Sequence, residues 1–363
     1  MLRIAIDCRM IGSGGIGSFI SELIPCFLKD NECLLIGTHE QCSPFLRLQN
    51  VEFCFCDIKP FSFKESFNFP LEVLEKINNC EAYFTPYCNI PSGITIPIFS
   101  TIHDVVFLDV KELTGFFGRF IRKMFYKRAV NYSEAVFTVS NFSKERIQKH
   151  LNCKKPLKVI YNAAPSYLKE PFDTLPKKED KILFVGNIKK HKGLKSLLEA
   201  FELARKKDSN FKSKLVIVGN FENFRTGDKE IVEKLQKLSS SASCIEFTGK
   251  ISNNELKYLY AESKLLVQPS LYEGFGIPPL EAMTVGTQAL ISDIPVFKEI
   301  YGNLPVTFFR AGDSEDLANK LLESIKAESK PINLSVVEEL YSYERSANII
   351  LESMAELIPL FKK

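Results

Sequence analysis

The sequence predicts an α/β protein with two domains, each built on a parallel β-sheet. The chain has 363 residues, more than a single hydrophobic core usually organises. Short apolar segments alternate with segments of helical periodicity from end to end, the pattern expected when helices cover both faces of parallel sheets. The apolar fraction of 45% and the charged fraction of 25% are those of a globular protein, so intrinsic disorder is not expected.

Apolar segments of strand length occur in both halves of the chain. In the first half they cover residues 2–6, 33–37, 51–56, 82–85, 96–102 and 135–139. In the second half they cover residues 182–185, 214–218, 244–247, 265–268, 288–291 and 306–309. Between the halves, residues 165–181 carry three prolines and many charges without a steady apolar period, which predicts a linker.

Helix starts are marked at two points in the second half. Ser252 is followed three residues later by Glu255, a capping box ahead of apolar positions. A second helix is predicted to begin at Pro278 or Pro279, because proline suits the first helical turn. Helical periodicity also predicts helices over residues 18–28, 194–205 and 335–360.

Composition narrows the class of protein. A net charge of +3 is too small to indicate nucleic-acid binding. The ten cysteines are scattered without a C-x-x-C pair, so reduced thiols are expected and a metal site is not. The N-terminus begins directly with a predicted strand and lacks the features of a signal peptide, and no apolar segment reaches the roughly 18 residues of a membrane span. We therefore expect a cytoplasmic protein.

The first glycine-rich turn, GSGGIG at residues 12–17, follows a predicted strand and precedes a helix. It matches G-x-G-x-x-G, in which glycines let backbone amides approach a diphosphate at the helix N-terminus. A nucleotide-dependent transferase, an NAD-dependent oxidoreductase and a plain tight turn all fit this pattern. An NAD enzyme would also place an acidic residue about 20 positions further on. The nearest such residue, Glu40, follows His39 in a predicted loop.

A second turn of this kind opens the second half, with the sequence FVGNIKKHKGL at residues 184–194. Lys189, Lys190 and Lys192 lie at the carboxyl end of a predicted strand, and Gly193 leads into a helix. Cations beside a helix N-terminus suit a diphosphate, although a solvated basic loop has the same composition.

The most informative segment is PSLYEGFGIPPLEAM, residues 269–283. It follows a predicted buried strand and carries Glu273 in a glycine turn and Glu281 in the first turn of a helix. Carboxylates at the carboxyl ends of parallel strands accept hydrogen bonds from sugar or ribose hydroxyls. The alternative is one helix-capping and one surface carboxylate.

With this segment, the chain resembles the retaining glycosyltransferases of family 4, whose fold is called GT-B. The resemblance extends over essentially the whole length and includes TIHDVVF at 101–107, VSNFSKERI at 139–147 and YSYERSA at 341–347, in family order. It implies two Rossmann-like α/β domains whose parallel sheets face each other across a crevice. The implied domains are residues 1–170 on the acceptor side, residues 171–340 for the nucleotide-sugar, and a final helix, residues 341–363, that crosses back to the first domain.

The resemblance also implies roles for individual residues. Glu281 would bind the ribose of the donor, Glu273 would lie by the transferred sugar, and Lys192 would bind the diphosphate. His103 would lie near the sugar and the acceptor. The further donor-binding residues would be Gly14, Gly15, Gly17, Asn187, Gly274, Phe275 and Gly276. Asn187 departs from the family, because many members carry an arginine there that also grips the diphosphate; Lys189 or Lys190 could substitute for it.

The activity implied is transfer of a hexose with retention of configuration, without a metal ion or cofactor. Mannose or rhamnose is favoured as the sugar and a glycan or lipid-linked glycan as the acceptor, in polysaccharide or lipopolysaccharide assembly. Two other functions stay open. An oxidoreductase would leave the second turn and the two glutamates unexplained, and a transferase-like subunit without turnover is suggested by Asn187.

Residues 116–128, FFGRFIRKMFYKR, predict an amphipathic helix. Its apolar stripe would consist of Phe117, Phe120, Ile121, Met124 and Phe125, and its cations would be Arg119, Arg122, Lys123 and Lys127. Such a helix can lie on an anionic membrane near a lipid-linked acceptor, which would make the protein peripheral at the inner face of the membrane. A helix that packs its apolar stripe inward and leaves the cations solvated fits equally well.

Overall fold

A computed structural model describes residues 1–219, 244–328 and 331–361, and the chain divides into two compact units. The first unit comprises Met1–Asn162 together with Tyr341–Lys363, and the second comprises Ala163–Leu340. The chain therefore leaves the first unit once and returns to it for the closing helix.

The described residues of the first unit contain one sheet of seven parallel strands, in the order β3-β2-β1-β4-β5-β6-β7. The strands are β1 (Arg3–Asp7), β2 (Glu32–Gly37), β3 (Val51–Phe55), β4 (Ala82–Thr85), β5 (Ile98–Thr101), β6 (Ala135–Thr138) and β7 (Leu157–Val159). The six predicted strands are confirmed. Strand β7 was not predicted, because its three residues are only half-buried and give no apolar run.

The helices that precede β7 are α1 (Gly14–Phe27), α2 (His39–Cys42), α3 (Phe63–Phe67), α4 (Leu71–Asn78), α5 (Val106–Asp109), α6 (Phe116–Tyr132) and α7 (Asn141–Leu151). Helix α1 begins at Gly14, one turn before the predicted start at Ser18. Gly17 lies in the first turn of this helix, where a Cβ atom would come within 2.5 Å of the Met10 carbonyl oxygen.

In the second unit, six strands of the described part form a parallel sheet in the order β10-β9-β8-β11-β12-β13. They are β8 (Glu179–Val185), β9 (Lys214–Val218), β10 (Ile245–Gly249), β11 (Ser263–Gln268), β12 (Gln288–Ser292) and β13 (Thr307–Phe309). All six were predicted. Strand β8 begins three residues early, within the predicted linker, which also contains a short 3-10 helix, Ser166–Lys169.

The described residues of the second unit form the helices α8 (Leu194–Lys207), α9 (Asn253–Glu262), α10 (Pro278–Thr284), α11 (Pro295–Tyr301), α12 (Ser314–Lys326) and α13 (Leu334–Leu340). The capping box predicted at Ser252 and Glu255 is present at the start of α9. The predicted proline start of α10 is confirmed as well.

The single helix predicted for residues 335–360 is two helices, α13 and α14 (Tyr343–Phe361). The side chain of Ser342 accepts a hydrogen bond from the Arg345 amide at 3.1 Å, so Ser342 caps a new helix and separates it from α13. Helix α14 packs on α1, where the rings of Tyr343 and Phe19 are 6.2 Å apart.

Each unit has its own buried apolar core on its sheet. All ten cysteines are free thiols, as predicted, and most are buried in or beside the first core. Among the described residues, no helix combines the length and the apolar character needed to cross a membrane.

Candidate functional site

Two loops of the second unit meet at Gly193, because β8 and β11 are neighbours in the sheet and both loops leave the carboxyl ends of their strands. Gly193 has φ of +69°, and a Cβ atom there would lie 1.8 Å from the Pro269 carbonyl oxygen. Only glycine allows this approach. The Leu271 amide also donates to the His191 carbonyl at 2.8 Å, so the basic loop and the glutamate loop are fixed together.

This contact brings two predicted site residues into an ion pair. Lys192 Nζ lies 2.7 Å from Oε1 and 2.8 Å from Oε2 of Glu273. The Ser270 hydroxyl donates to the same Oε1 at 2.7 Å. Burial alone would raise the pKa of Glu273, but Lys192 and Ser270 outweigh it and hold the pKa below its usual value. Glu273 is therefore a buried, ionised carboxylate.

His191 lies in the same loop and is neutral. Burial, together with the neighbouring charge of Lys192, lowers its pKa to about 4. Within the described part of the chain, the His191 Nδ1 atom is buried without a hydrogen-bond partner. Next to Glu273, the positive charge of this loop is thus carried by Lys192 and not by His191.

Glu281 is half-buried in the first turn of α10. Its Oε2 accepts a hydrogen bond of 2.5 Å from the hydroxyl of Tyr260, which is fully buried on α9. Burial raises the pKa of Glu281 to about 7, although the Tyr260 hydrogen bond acts in the opposite direction. In this environment the carboxyl group changes its charge near neutral pH.

The loop that carries Glu273 is clamped by α11. Gly276 has φ of +84°, and a Cβ atom there would lie 2.3 Å from the Phe297 ring. The Tyr301 hydroxyl donates to the Gly276 carbonyl oxygen. Phe275 is only 2% exposed, so its side chain belongs to the core.

Asn187 follows directly after Gly186, at the end of β8. The Gly186 amide donates to the Val218 carbonyl at 2.9 Å, and the Asn187 carbonyl accepts from the Lys189 amide at 2.9 Å. These bonds define the turn that leads to Lys192. The side chain of Asn187 is half-buried, and that of Lys190 is exposed.

In the first unit, His103 follows β5 and is neutral. Its Nε2 lies 2.9 Å from the Pro86 carbonyl oxygen, and because a carbonyl can only accept, Nε2 carries the proton. Burial lowers the pKa of His103 to about 4. The ring packs edge-on against Phe19 with centroids 4.9 Å apart. Nδ1 is therefore the ring nitrogen with a lone pair. The neighbouring Asp104 carboxylate accepts a hydrogen bond from the Val106 amide at 2.9 Å.

Gly14, Gly15 and Gly17 form the first turn of α1. Gly14 has φ of +63°, and Ser13 at the N-cap makes no side-chain hydrogen bond to the helix. Gly14 and Gly15 are exposed, so the amide groups of this turn are accessible, whereas Gly17 is buried against the backbone of residues 10–12 in the loop after β1.

Sequence reasoning missed the residues that position the glutamates. Tyr260 occupies a helical position typical of core residues, and nothing in the sequence indicates that its hydroxyl reaches Glu281. Ser270 lies three residues before Glu273, and this spacing was the one available signal. Among residues 1–219, 244–328 and 331–361, no three His, Cys, Asp or Glu side chains are grouped as a metal site would require.

Part of the chain matches a known protein family. Residues 168–336 match the family model of glycosyl transferases group 1. The O-antigen chain mannosyltransferase RfbU of Salmonella typhimurium is 34% identical over 236 residues, 64% of this chain and 62% of the relative. The O-antigen chain mannosyltransferase B of Escherichia coli is 25% identical over 221 residues, 58% of this chain and 56% of the relative. The chain thus spans less than two thirds of the length of these relatives.

Among solved structures, HepE from Anabaena in complex with UDP and glucose superposes with a TM-score of 0.73 at 15% sequence identity. The match covers 98% of this chain and all of HepE. At this identity the likeness establishes the fold. Residues 168–336 therefore form a domain of the glycosyl transferases group 1 family, and the chain has the two-sheet GT-B fold.

Proposed function

We propose that the chain is a retaining glycosyltransferase of family 4 that moves a hexose, with mannose or rhamnose favoured, from a nucleotide-sugar to a glycan or lipid-linked glycan. The observation that carries the proposal is Lys192, held by Glu273 where β8 and β11 end, inside the group 1 domain. The curated relatives named as O-antigen chain mannosyltransferases support the sugar and the assembly of cell-surface polysaccharide.

In this proposal the second unit binds the donor. The diphosphate lies at Lys192 and the start of α8, with Asn187 and the loop Gly274–Gly276 contributing around it. Glu281 accepts hydrogen bonds from the ribose, and Glu273 accepts them from the transferred sugar. The neighbour HepE, solved with UDP and glucose, supports a nucleotide-sugar as donor.

Lys192 is the main catalytic group of the proposed reaction. Negative charge grows on the diphosphate as the sugar leaves. A cation fixed beforehand by Glu273, which Ser270 holds in turn, needs no reorganisation to stabilise that charge. We propose that Lys192 and the N-terminus of α8 take the place of a metal ion, so that neither metal nor cofactor is needed.

From the first unit, the proposal assigns Gly14, Gly15 and Gly17 to the donor and His103 to the sugar and acceptor. The neutral His103 ring has its lone pair on Nδ1, so it can accept a hydrogen bond from a hydroxyl group. We also propose that an anionic membrane surface is a partner through residues 116–128, with the protein peripheral at the inner face of the membrane.

The proposal is tested by thermal unfolding of the protein with UDP, GDP, dTDP, NAD and the corresponding nucleotide-sugars. A ligand at 100 times its dissociation constant stabilises the protein by about 2.7 kcal/mol. We expect one nucleoside diphosphate and its hexose conjugate to raise the unfolding midpoint. A response to NAD alone would support the oxidoreductase instead, and binding without transfer or hydrolysis for every donor would support a non-catalytic subunit.

A further inference from the structure

Helix α6 presents its large apolar side chains to solvent. Phe117, Phe120 and Met124 are each more than half exposed. The side of the helix that packs inward carries Tyr126, with Ala129 and Val130. Of the predicted apolar stripe, Phe125 packs partly against the first core and Ile121 is half-buried, so only the outer part of the stripe faces solvent. An outward stripe of this kind marks an interaction surface, because exposed aromatic side chains seldom cluster on a monomer.

A second helix exposes the same kind of side chain. On α3, Phe63 and Phe67 are 73% and 62% exposed, and their rings are stacked with centroids 6.2 Å apart. The guanidinium carbon of Arg128 lies 5.9 Å from the Phe67 ring and 4.9 Å from the Tyr132 ring. Arg128 thus links α3 to the C-terminal end of α6, where Tyr132 is also more than half exposed.

The outward orientation of α3 is fixed by buried polar contacts. Glu65 accepts from Arg9 Nη2 at 2.7 Å and from the Phe61 amide at 2.7 Å. The Ser66 hydroxyl bonds Asn89 Oδ1 at 3.0 Å. A helix of five residues is not stable by itself, so these buried contacts hold it in place. With residues 65 and 66 turned inward, residues 63 and 67 must face out.

The charges of α6 are all of one sign. Its sequence, FFGRFIRKMFYKRAVNY, contains five cations and no carboxylate. Lys123 and Lys127 lie one turn apart along the flank of the exposed stripe. Arg122 instead packs over the Phe107 ring, with its guanidinium carbon 4.0 Å from the centroid, so it is engaged within the unit.

We infer that α3 and α6 together form one docking surface for a bilayer that contains anionic lipids, with Phe63 and Phe67 as insertion residues beside the C-terminal end of α6. This inference rests on the membrane partner of the proposed function and adds a second helix to it. Apolar side chains flanked by lysines match the interior and the headgroups of such a bilayer. A second copy of the chain is a poorer occupant, because a symmetric contact would bring the cations of two α6 helices together.

The test is co-sedimentation of the full chain with vesicles of phosphatidylcholine, with and without phosphatidylglycerol. We expect binding only to the anionic vesicles. The double variant Phe63→Ser/Phe67→Ser should bind on the order of tenfold less tightly or worse. The double variant Lys123→Gln/Lys127→Gln should lose about 25-fold, at about fivefold for each cation. Leu175→Ser, which alters an exposed leucine of the second unit, is the matched control and should bind like the wild type.

Three results would overturn the inference. The first is that Phe63→Ser/Phe67→Ser binds anionic vesicles as tightly as the wild type does. The second is that the wild type binds both vesicle types equally. The third is that the chain self-associates and that the phenylalanine variant abolishes this self-association. Unfolding midpoints equal to that of the wild type verify that the variants fold. Vesicle binding requires no donor, so its failure would leave the proposed transfer reaction untouched, and an inactive protein that still binds vesicles would contradict only the proposed function.

Discussion

Lys192 and Glu273 form a two-point ion pair, with Nζ 2.7 and 2.8 Å from the two carboxylate oxygens. The group proposed to bind the diphosphate is therefore held by the group proposed to bind the sugar. A diphosphate that reaches Lys192 must share it with Glu273, so the two roles are coupled and can be separated by substitutions at each residue.

Glu273→Gln keeps the shape of the side chain and removes its charge. We expect turnover to fall, because the sugar contact is weakened, while affinity for the free nucleoside diphosphate stays nearly intact, because Lys192 is released from its competing carboxylate. Calorimetric binding of the diphosphate and the kinetics of transfer separate these effects. Loss of diphosphate binding in a folded variant would contradict the assigned roles.

Glu281→Gln addresses the proposed ribose contact, which is made equally before and during transfer. Donor binding should weaken by roughly 1.5–3 kcal/mol, the contribution of a hydrogen bond to a charged group, and turnover at saturating donor should change less. The comparison of KM with kcat measures this. A large loss of kcat with unchanged KM would be the opposite of what we expect.

Tyr260→Phe should move the pH dependence of nucleotide binding. The pKa of Glu281 is raised to about 7, so binding that needs its carboxylate should strengthen as pH rises through neutrality. Removing the Tyr260 hydroxyl deletes a bond that lowers this pKa, so the midpoint should shift to higher pH. Titrations of binding between pH 5 and pH 9 in wild type and variant give the two midpoints, and a shift to lower pH would count against the contact.

The same shift has a consequence for stability without ligand. Because the folded-state pKa of Glu281 lies above its unfolded value, its favourable contribution is complete at low pH and is lost as pH rises through about 7. Glu281→Gln should therefore be more stable relative to the wild type at pH 8 than at pH 5. Urea denaturation at both pH values is the measurement, and a reversed order would exclude the raised pKa.

Gly193→Ala should disrupt the junction of the two loops. A left-handed conformation costs an alanine about 1–2 kcal/mol, and overpacking against the Pro269 carbonyl adds about 1–3 kcal/mol. Gly286→Ala is the matched control, because Gly286 has φ of +78° but no atom within 4 Å of a Cβ position. Thermal unfolding should rank Gly193→Ala as the less stable variant. Equal unfolding midpoints would mean that the close approach of Gly193 to the Pro269 carbonyl does not affect stability.

Most of the fold could be predicted because the strands of parallel sheets are continuous apolar runs. The exceptions have local causes. Strand β7 is short and half-buried, and Ser342 ends one helix and caps the next by a side-chain bond that periodicity does not reveal. The orientation of α6 also needed the structure, since the same stripe could face the core or the solvent.

For the candidate site, glycines and charges at strand ends predicted which segments matter. The contact of Lys192 with Glu273 depends on the order of strands in the sheet, because these residues follow the neighbouring strands β8 and β11. The contact of Tyr260 with Glu281 depends on how the helices before and after β11 pack together. The family resemblance assigned Phe275 to the donor site, and only the structure reveals that its side chain is buried.

The central claim is that Lys192 stabilises a leaving diphosphate, and the most direct test is the release of nucleoside diphosphate from nucleotide-hexoses by wild type and Lys192→Ala. Lys206→Ala, at the far end of α8, is the control for loss of a lysine. We expect release with one class of donor, a rate lower by on the order of 100-fold or more in Lys192→Ala, and an unchanged rate in Lys206→Ala. Release at the wild-type rate by Lys192→Ala, or no release from any donor by the wild type, would contradict the account.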